Sequence, residues 1–490
     1  MRVLMTGATG LVGRALALRL RRDGHRVTAW VRDPRAARAV LGDEVSVLGM
    51  DDDAELVREL DRVDVVVSLA GAPVAQRWTA AARRRLVESR VGLTHRLVDA
   101  MRRSTTRPRA LVSASAVGYY GDRGDELLDE DSPPGEGFLA RLCVDWEAAA
   151  REAEALGTRV CALRIGIVLD GEGGALATMR PAFAMGLGAV LGSGRQAMSF
   201  IHLHDLVELL VRAIEDERYR GPINAVAPEA LDNRTFTRAL ARALGRPAWL
   251  RVPAFVLRLG MGQAAQILLH GQRVLPRRAH ALGFRFRYPR LDDALEDAVD
   301  GGRSHVSIGP ATAGGRELPP GEYVARRRPR YLLEQRTLVD APRPAVLDFF
   351  RRAENLGAIT PPALAFEIRT PTPIVMTQGR RIAYRIRLGP LPMRWLTRIE
   401  AWEPGERFVD VQLRGPYRAW YHEHLFEARG DRTLMIDRVW YAPPLGPLGA
   451  IAQRLVVAPM LRRIFGHRRA AIALRFGLAE DADDHDSLAA

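Results

Sequence analysis

Val3-Leu4-Met5-Thr6-Gly7-Ala8-Thr9-Gly10-Leu11-Val12-Gly13 opens the chain as an apolar run that breaks into glycines three residues apart. A helical pattern follows through Leu16, Leu18 and Leu20, and a second apolar run covers Val27 to Val31. Glycine is needed at such a strand-to-helix turn because the chain reverses sharply, its backbone must approach a pyrophosphate, and the helix must pack closely on the strand. The helix start then offers unpaired N–H groups and the positive end of its dipole to an anion. The stretch predicts a dinucleotide site built from Gly7, Thr9, Gly10, Leu11, Val12 and Gly13.

Outward from this turn, apolar runs alternate with helical patterns: Val45–Leu48, Val63–Leu69, Ala110–Ser115, Arg159–Ile167 and Pro222–Val226. That alternation predicts an α/β domain over residues 1–299, a doubly wound parallel sheet of the Rossmann type, with about 245–299 as a small C-terminal substrate lobe. Residues 300–330 lose all periodicity, carry many glycines and prolines, and end near Arg326-Arg327-Arg328, so a flexible linker is expected. From Tyr331 the pattern changes to consecutive strands separated by Gly389-Pro390, Pro404-Gly405, Gly415-Pro416 and Gly430-Asp431, closed by a helical segment of about Leu448 to Phe476. An antiparallel α+β domain is expected over 331–477, followed by a disordered acidic tail at 478–490.

All 72 basic residues are arginine, and the chain contains no lysine. The formal net charge of +14 would attract anions, yet the arginines are spread along the chain and no base-stacking motif accompanies them, so no nucleic-acid partner is expected. Cys143 and Cys161 are the only cysteines, which implies no disulfide framework and a reducing, cytoplasmic setting. No leader pattern precedes the first strand. The most apolar late stretch, Leu445 to Met460, is interrupted by Arg454 and is too short to span a bilayer, so no integral membrane segment is expected. The oligomeric state is left open.

Several further stretches resemble the extended short-chain dehydrogenase/reductases, in particular an atypical epimerase-like branch related to a SulA-type cell-division inhibitor. They are Ser68-Leu69-Ala70-Gly71-Ala72-Pro73, Arg77-Trp78-Thr79, Glu88-Ser89-Arg90, Ser113 to Gly121, Asp145-Trp146-Glu147, Arg164 to Leu169, and Gly192-Ser193-Gly194-Arg195-Gln196 leading to His202. The resemblance implies that Ala70, Gly71 and Arg90 also line the cofactor, and that Tyr119, Arg195 and His202 face a small-molecule substrate. Arg32 follows the second apolar run, where an acidic residue would bind a ribose 2′-hydroxyl and an arginine accommodates a 2′-phosphate. NADP(H) is expected ahead of NAD(H).

This superfamily uses a tyrosine acid/base with a lysine four residues later, the lysine lowering the tyrosine pKa and holding the nicotinamide ribose. Without lysine that pair cannot exist. Anchored on Asp145-Trp146-Glu147, the two positions fall near Leu139 and Cys143. Ser115 and Tyr120, at the end of the fifth apolar run, are the candidate catalytic residues, weighed against a role that only satisfies backbone at a strand end. His202 and His204 share a strand face without a third ligand at metal spacing, so no metal is expected.

Residues 331–477 resemble the START-like, SRPBCC helix-grip fold through Glu400 to Pro404, Gly415-Pro416-Tyr417, Trp420 to Glu427, Met435-Ile436-Asp437 and Tyr441-Ala442-Pro443. The resemblance implies a curved sheet around a long helix and a cavity for an apolar ligand. Strand alternation puts Trp420, His422, His424 and Phe426 on one face, the expected cavity lining. Zinc on His422 and His424 alone would be under-coordinated. The functional expectation is an NADP(H)-dependent oxidoreductase or epimerase-like enzyme fused to an apolar-ligand domain. The alternatives are a non-catalytic NADP-binding regulator and a lipid or polyketide carrier.

Overall fold

A computed structural model describes residues 1–42, 45–171, 173–300, 306–313, 316–361, 364–388, 391–444 and 448–478. The chain divides into two compact units, Met1–Val299 and Asp300–Ala490.

The first unit is built on seven strands in the spatial order Gly221–Ala225, Arg159–Ile165, Ala110–Ala116, Val65–Ser68, Arg2–Thr6, Arg26–Val31 and Ser46–Gly49. Every neighbouring pair is parallel. Such strands are covered by helices on both faces, which is why Val65–Ser68 reads as an unbroken buried run. Arg2–Thr6 lies between the second and fourth strands of the chain, so the strand order reverses beside it and opens a crevice at the carboxyl ends. Local chemistry sets the helix starts: Asp33 accepts the N–H groups of Arg35 and Ala36 ahead of Pro34–Leu41, with Pro34 at the first helical position. The lobe expected at 245–299 takes in an earlier segment as well, because Leu250–Val252 pairs in parallel with Ala189–Leu191.

The second unit is an eight-stranded antiparallel sheet in the order Val306–Pro310, Tyr331–Val339, Arg432–Ala442, Ala419–Arg429, Arg407–Arg414, Leu391–Glu403, Arg381–Leu388 and Glu367–Ile368. The helix Ala458–Phe476 covers one face, with Leu461 and Phe465 packed among Leu333, Trp420 and Val439 and with Ile472 against Val339 and Phe349. On the opposite face Val324 packs with Val409, Tyr421 and Trp440.

The flexible linker expected at 300–330 is corrected here. Val306–Pro310 is an edge strand paired with Tyr331–Gln335, and Glu322–Arg327 is a helix. Tyr323 accepts the Trp420 N–H and donates to the Gln412 carbonyl. The glycines and prolines around this strand hid its short alternation from a periodicity reading. Of the tail expected at 478–490, Leu478 bridges to Val339, and residues 479–490 lie outside the described residues. Among the described residues no helix is long and apolar enough to cross a membrane.

Candidate functional site

The crevice of the first unit is shaped by contacts that leave no room for side chains. Gly7 has φ +71°, and a Cβ there would stand 2.7 Å from the Leu69 carbonyl carbon. A Cβ on Gly13 would lie 2.1 Å from the Gly7 oxygen. Thr6 fixes the neighbouring loop, its Oγ1 accepting the N–H groups of Leu69 and Ala70 at 3.1 and 3.2 Å. The helix Leu11–Arg22 starts at Gly10 with no side-chain cap, so its first N–H groups remain available to an anion. This cradle fits a dinucleotide pyrophosphate.

Ala70 and Gly71 sit on that loop, facing Arg90. A Cβ on Gly71 would meet the Arg90 guanidinium at 2.9 Å. Arg90 donates to the Ala72 carbonyl, lies 5.3 Å from the Trp146 ring, and belongs to a single π-helical turn, Glu88–Gly92, of the kind found often at functional sites. Arg32 is exposed and has no ion-pair partner among the described residues, since Asp33 beside it is spent on capping its helix.

The helix face near the Val117–Tyr120 turn carries no acid/base pair. A methyl group on Gly118 would stand 3.6 Å from Leu139 Cβ and 3.9 Å from Cys143 Sγ. Burial, reinforced by the Glu147 carboxylate, pushes the Cys143 thiol up to about 12, so it brings no charge of its own.

Ser115 and Tyr120 occupy a closed polar network rather than an open surface. Ser115 Oγ donates to Glu147 Oε1 at 2.6 Å, and Tyr120 donates to Asn224 Oδ1 at 2.7 Å while accepting from Arg164 Nη1 at 2.9 Å. Both are buried, and burial raises the Tyr120 phenol to about 12. The hydroxyls expected to serve substrate are thus committed to side chains that stabilise the unit. Tyr119 is half-buried, with the Arg164 guanidinium 3.4 Å from its ring centroid.

His202 also differs from its expected substrate role. It caps the helix Leu203–Glu215 by accepting the His204 N–H, its Nε2 lies 3.2 Å from Asp297, and its ring packs 4.0 Å from Tyr288. Both nitrogens have structural partners. Arg195 is exposed, with its guanidinium 3.9 Å from Asp125. The sequence reading missed Thr6, Glu147, Arg164 and Asn224; Glu147 and Arg164 lay in quoted stretches, but nothing local marked them as partners.

In the second unit, Trp420, His422 and His424 line a cavity of about 200 Å³ beneath the long helix, walled by Phe350, Ile382, Trp395, Ile399, Leu461 and Phe465. Phe426, expected in that lining, instead packs behind it against Phe350 and Phe408, with ring centroids 5.2 and 6.1 Å away. The polar end is richer than two histidines. Asp410 stands opposite His422 and Asp437 opposite His424 in the strand register, and Arg468 reaches Asp437 from the helix at 3.1 Å. Burial lowers His422 to about 4.

The sheet order, the glycine cradle and the uncapped helix start define a dinucleotide-binding unit of the short-chain dehydrogenase/reductase class. Residues 3–225 match the NAD dependent epimerase/dehydratase family, and residues 252–298 match a domain of unknown function, DUF1731. The chain is 40% identical over 298 residues to the chloroplastic SDR39U1 homologue of Arabidopsis thaliana, spanning 60% of this chain and 86% of that protein. It is 38% identical to mouse SDR39U1, over 61% of this chain and all of the mouse protein. Human SDR39U1, solved with NADPH, aligns with a TM-score of 0.55 at 35% identity, covering 61% of this chain and 99% of the human one. The chain belongs to the SDR39U1-type epimerase family.

Proposed function

We propose that residues 1–299 bind NADP(H) and act as an oxidoreductase or epimerase-like unit on a small-molecule substrate, joined to a second unit that holds an apolar ligand. The observation that carries the reading is the helix start at Gly10, uncapped by any side chain, whose first N–H groups are open to a pyrophosphate. The human relative was solved with NADPH, and the exposed Arg32, which has no ion-pair partner among the described residues, supports the same cofactor here. Bound nicotinamide would supply hydride chemistry, while the chain's residues bind and orient it. The Arg90 guanidinium lies against Gly71 on the cofactor loop and is our candidate for the cation that stands in for the missing lysine. Charge-assisted contacts are worth about 1.5–3 kcal/mol, so NADPH should bind more than about tenfold tighter than NADH, with Arg32→Ala removing most of the difference. Equal affinities in the unaltered protein would sink the assignment.

A second reading, a cofactor-binding regulator without turnover, is favoured by one observation: the Ser115 and Tyr120 hydroxyls are already committed. Single-turnover hydride transfer from deuterated NADPH to a panel of small carbonyl compounds separates the two, because a regulator transfers none.

For the second unit, the antiparallel sheet, the covering helix and the cavity between them support a helix-grip, START-like ligand carrier. An apolar pocket with a few polar groups is the usual form of a small-molecule site. A fluorescent fatty-acyl probe should bind the full chain and be displaced by filling the cavity with Ile399→Trp. Failure of any such probe to bind would reduce this unit to a packing or docking module.

A further inference from the structure

The polar end of the second unit's cavity is assembled from four strand residues and one helix residue. Asp437 is fully buried, and its Oδ1 lies 2.7 Å from His424 Nδ1 and 3.1 Å from His422 Nε2. Arg468 Nη2 donates to His424 Nδ1 at 3.0 Å and lies 3.1 Å from Asp437 Oδ1. Asp437 accepts the N–H of His422 Nε2, while His424 Nε2 donates to Asp410 Oδ2 at 3.3 Å. These bonds leave His422 Nδ1 as a lone pair facing Asp410, and put the His424 proton on Nε2, where a bound cation would displace it.

Both ring nitrogens converge on Asp410. His424 Nε2 lies 3.3 Å and His422 Nδ1 3.5 Å from Asp410 Oδ2. One ligand atom from each of the three residues falls within 4.8 Å of the others. Ligands held at about 2.0–2.1 Å in a tetrahedron are roughly 3.3–3.4 Å apart, which is the spacing seen at Asp410. Charge points the same way: two carboxylates face one guanidinium, and Asp437 Oδ2 is a buried oxygen with no hydrogen-bond partner among the described residues.

We infer that Asp410, His422 and His424 form a binding site for a divalent transition-metal ion of the zinc or ferrous type, with Asp437 as the buried carboxylate behind them, bonded directly to His422 and paired with the Arg468 that holds His424. Two nitrogens and one carboxylate oxygen suit such ions, whereas magnesium and calcium prefer all-oxygen shells and copper(I) prefers sulfur. A buried carboxylate behind a ligating histidine is the arrangement that sets tautomer and ring direction in metal sites. The three side chains also line the cavity, so the ion's remaining positions open toward whatever the cavity holds. This site extends the expectation of under-coordinated histidines, because the third ligand stands on the neighbouring strand. The inference is independent of the cavity's organic ligand and of the dinucleotide reading.

The test uses the full chain, stripped with a chelator and titrated with zinc chloride against a chromophoric competitor. One zinc ion per chain is expected. Asp410→Asn and His424→Gln should each weaken binding by at least about a hundredfold, and Asp437→Asn by about 10–100-fold. The exposed group Asp23, His25 and Glu215 is the competing location, so His25→Ala should leave affinity unchanged. Thermal melting of the metal-free variants checks that they fold. Should they fail to fold, cobalt(II) bound to the unaltered chain decides: intense ligand-field bands of four or five coordination uphold the site, and weak six-coordinate bands overturn it. No retained ion, binding indifferent to Asp410→Asn, or loss on His25→Ala also overturns it.

Discussion

Arg164 and Glu147 meet in two parallel hydrogen bonds, Nε to Oε1 and Nη2 to Oε2, both 2.9 Å, with both side chains almost wholly removed from solvent. The pair ties the strand Arg159–Ile165 to the helix Phe138–Arg151 beneath the crevice. Removing one member leaves an uncompensated buried charge, which costs about 3–5 kcal/mol. Glu147→Gln should therefore lower the first unit's denaturant midpoint sharply. An unchanged midpoint would mean that solvent reaches the pair.

Tyr120→Phe should act on stability before it acts on chemistry. The substitution strands Asn224 Oδ1 and one Arg164 donor in the interior, worth about 1–3 kcal/mol. Turnover on any substrate found should then change by less than about tenfold, against the 10²–10⁴ expected for a general acid/base. A larger fall in kcat at unchanged stability would restore Tyr120 as a catalyst.

Cys143 and Cys161 should be silent toward a thiol reagent at pH 8. Both are buried, and burial pushes each thiol up to about 12, so the reactive thiolate is scarce and screened. The native chain should titrate as having no accessible thiol and the denatured chain as having its full two. Rapid labelling of the native protein would show that the helix Phe138–Arg151 opens.

A piece of the chain beginning at residue 331 should be less stable than one beginning at residue 300. The longer piece keeps the edge strand Val306–Pro310 and the Tyr323 contacts with Gln412 and Trp420. The shorter one bares Tyr331–Val339 as an unpaired edge, a template for aggregation. Melting temperatures and size-exclusion profiles of the two pieces make the comparison, and equal behaviour would return 300–330 to the status of a tether.

The first unit was legible because its signals are local. Strands buried on both faces show as unbroken apolar runs, and the turn after Thr6 announces itself through glycines that only a backbone-crowded site requires. The Glu147–Arg164–Tyr120–Asn224 network was not legible, since its members are scattered from the fifth strand to the seventh and each looks ordinary in its own stretch. The same limit hid Asp410: strand alternation put His422 and His424 on one face, but only the register between neighbouring strands brings a carboxylate opposite them. Phe426 shares that face and still misses the cavity, because alternation gives a side and not a depth.

The three glycines of the opening turn answer to different kinds of constraint. At Gly13 and Gly7 any side chain strikes backbone, at 2.1 and 2.7 Å, so a survey of substitutions would report intolerance whether or not a cofactor were ever bound. Gly10 is different: its φ is −77°, and an added methyl would meet only the Gly7 oxygen, at 3.3 Å. Alanine there should be nearly silent for folding while standing at the helix start where the pyrophosphate approaches. Selection acting on Gly10 thus records ligand use, whereas selection on its two neighbours records the architecture alone.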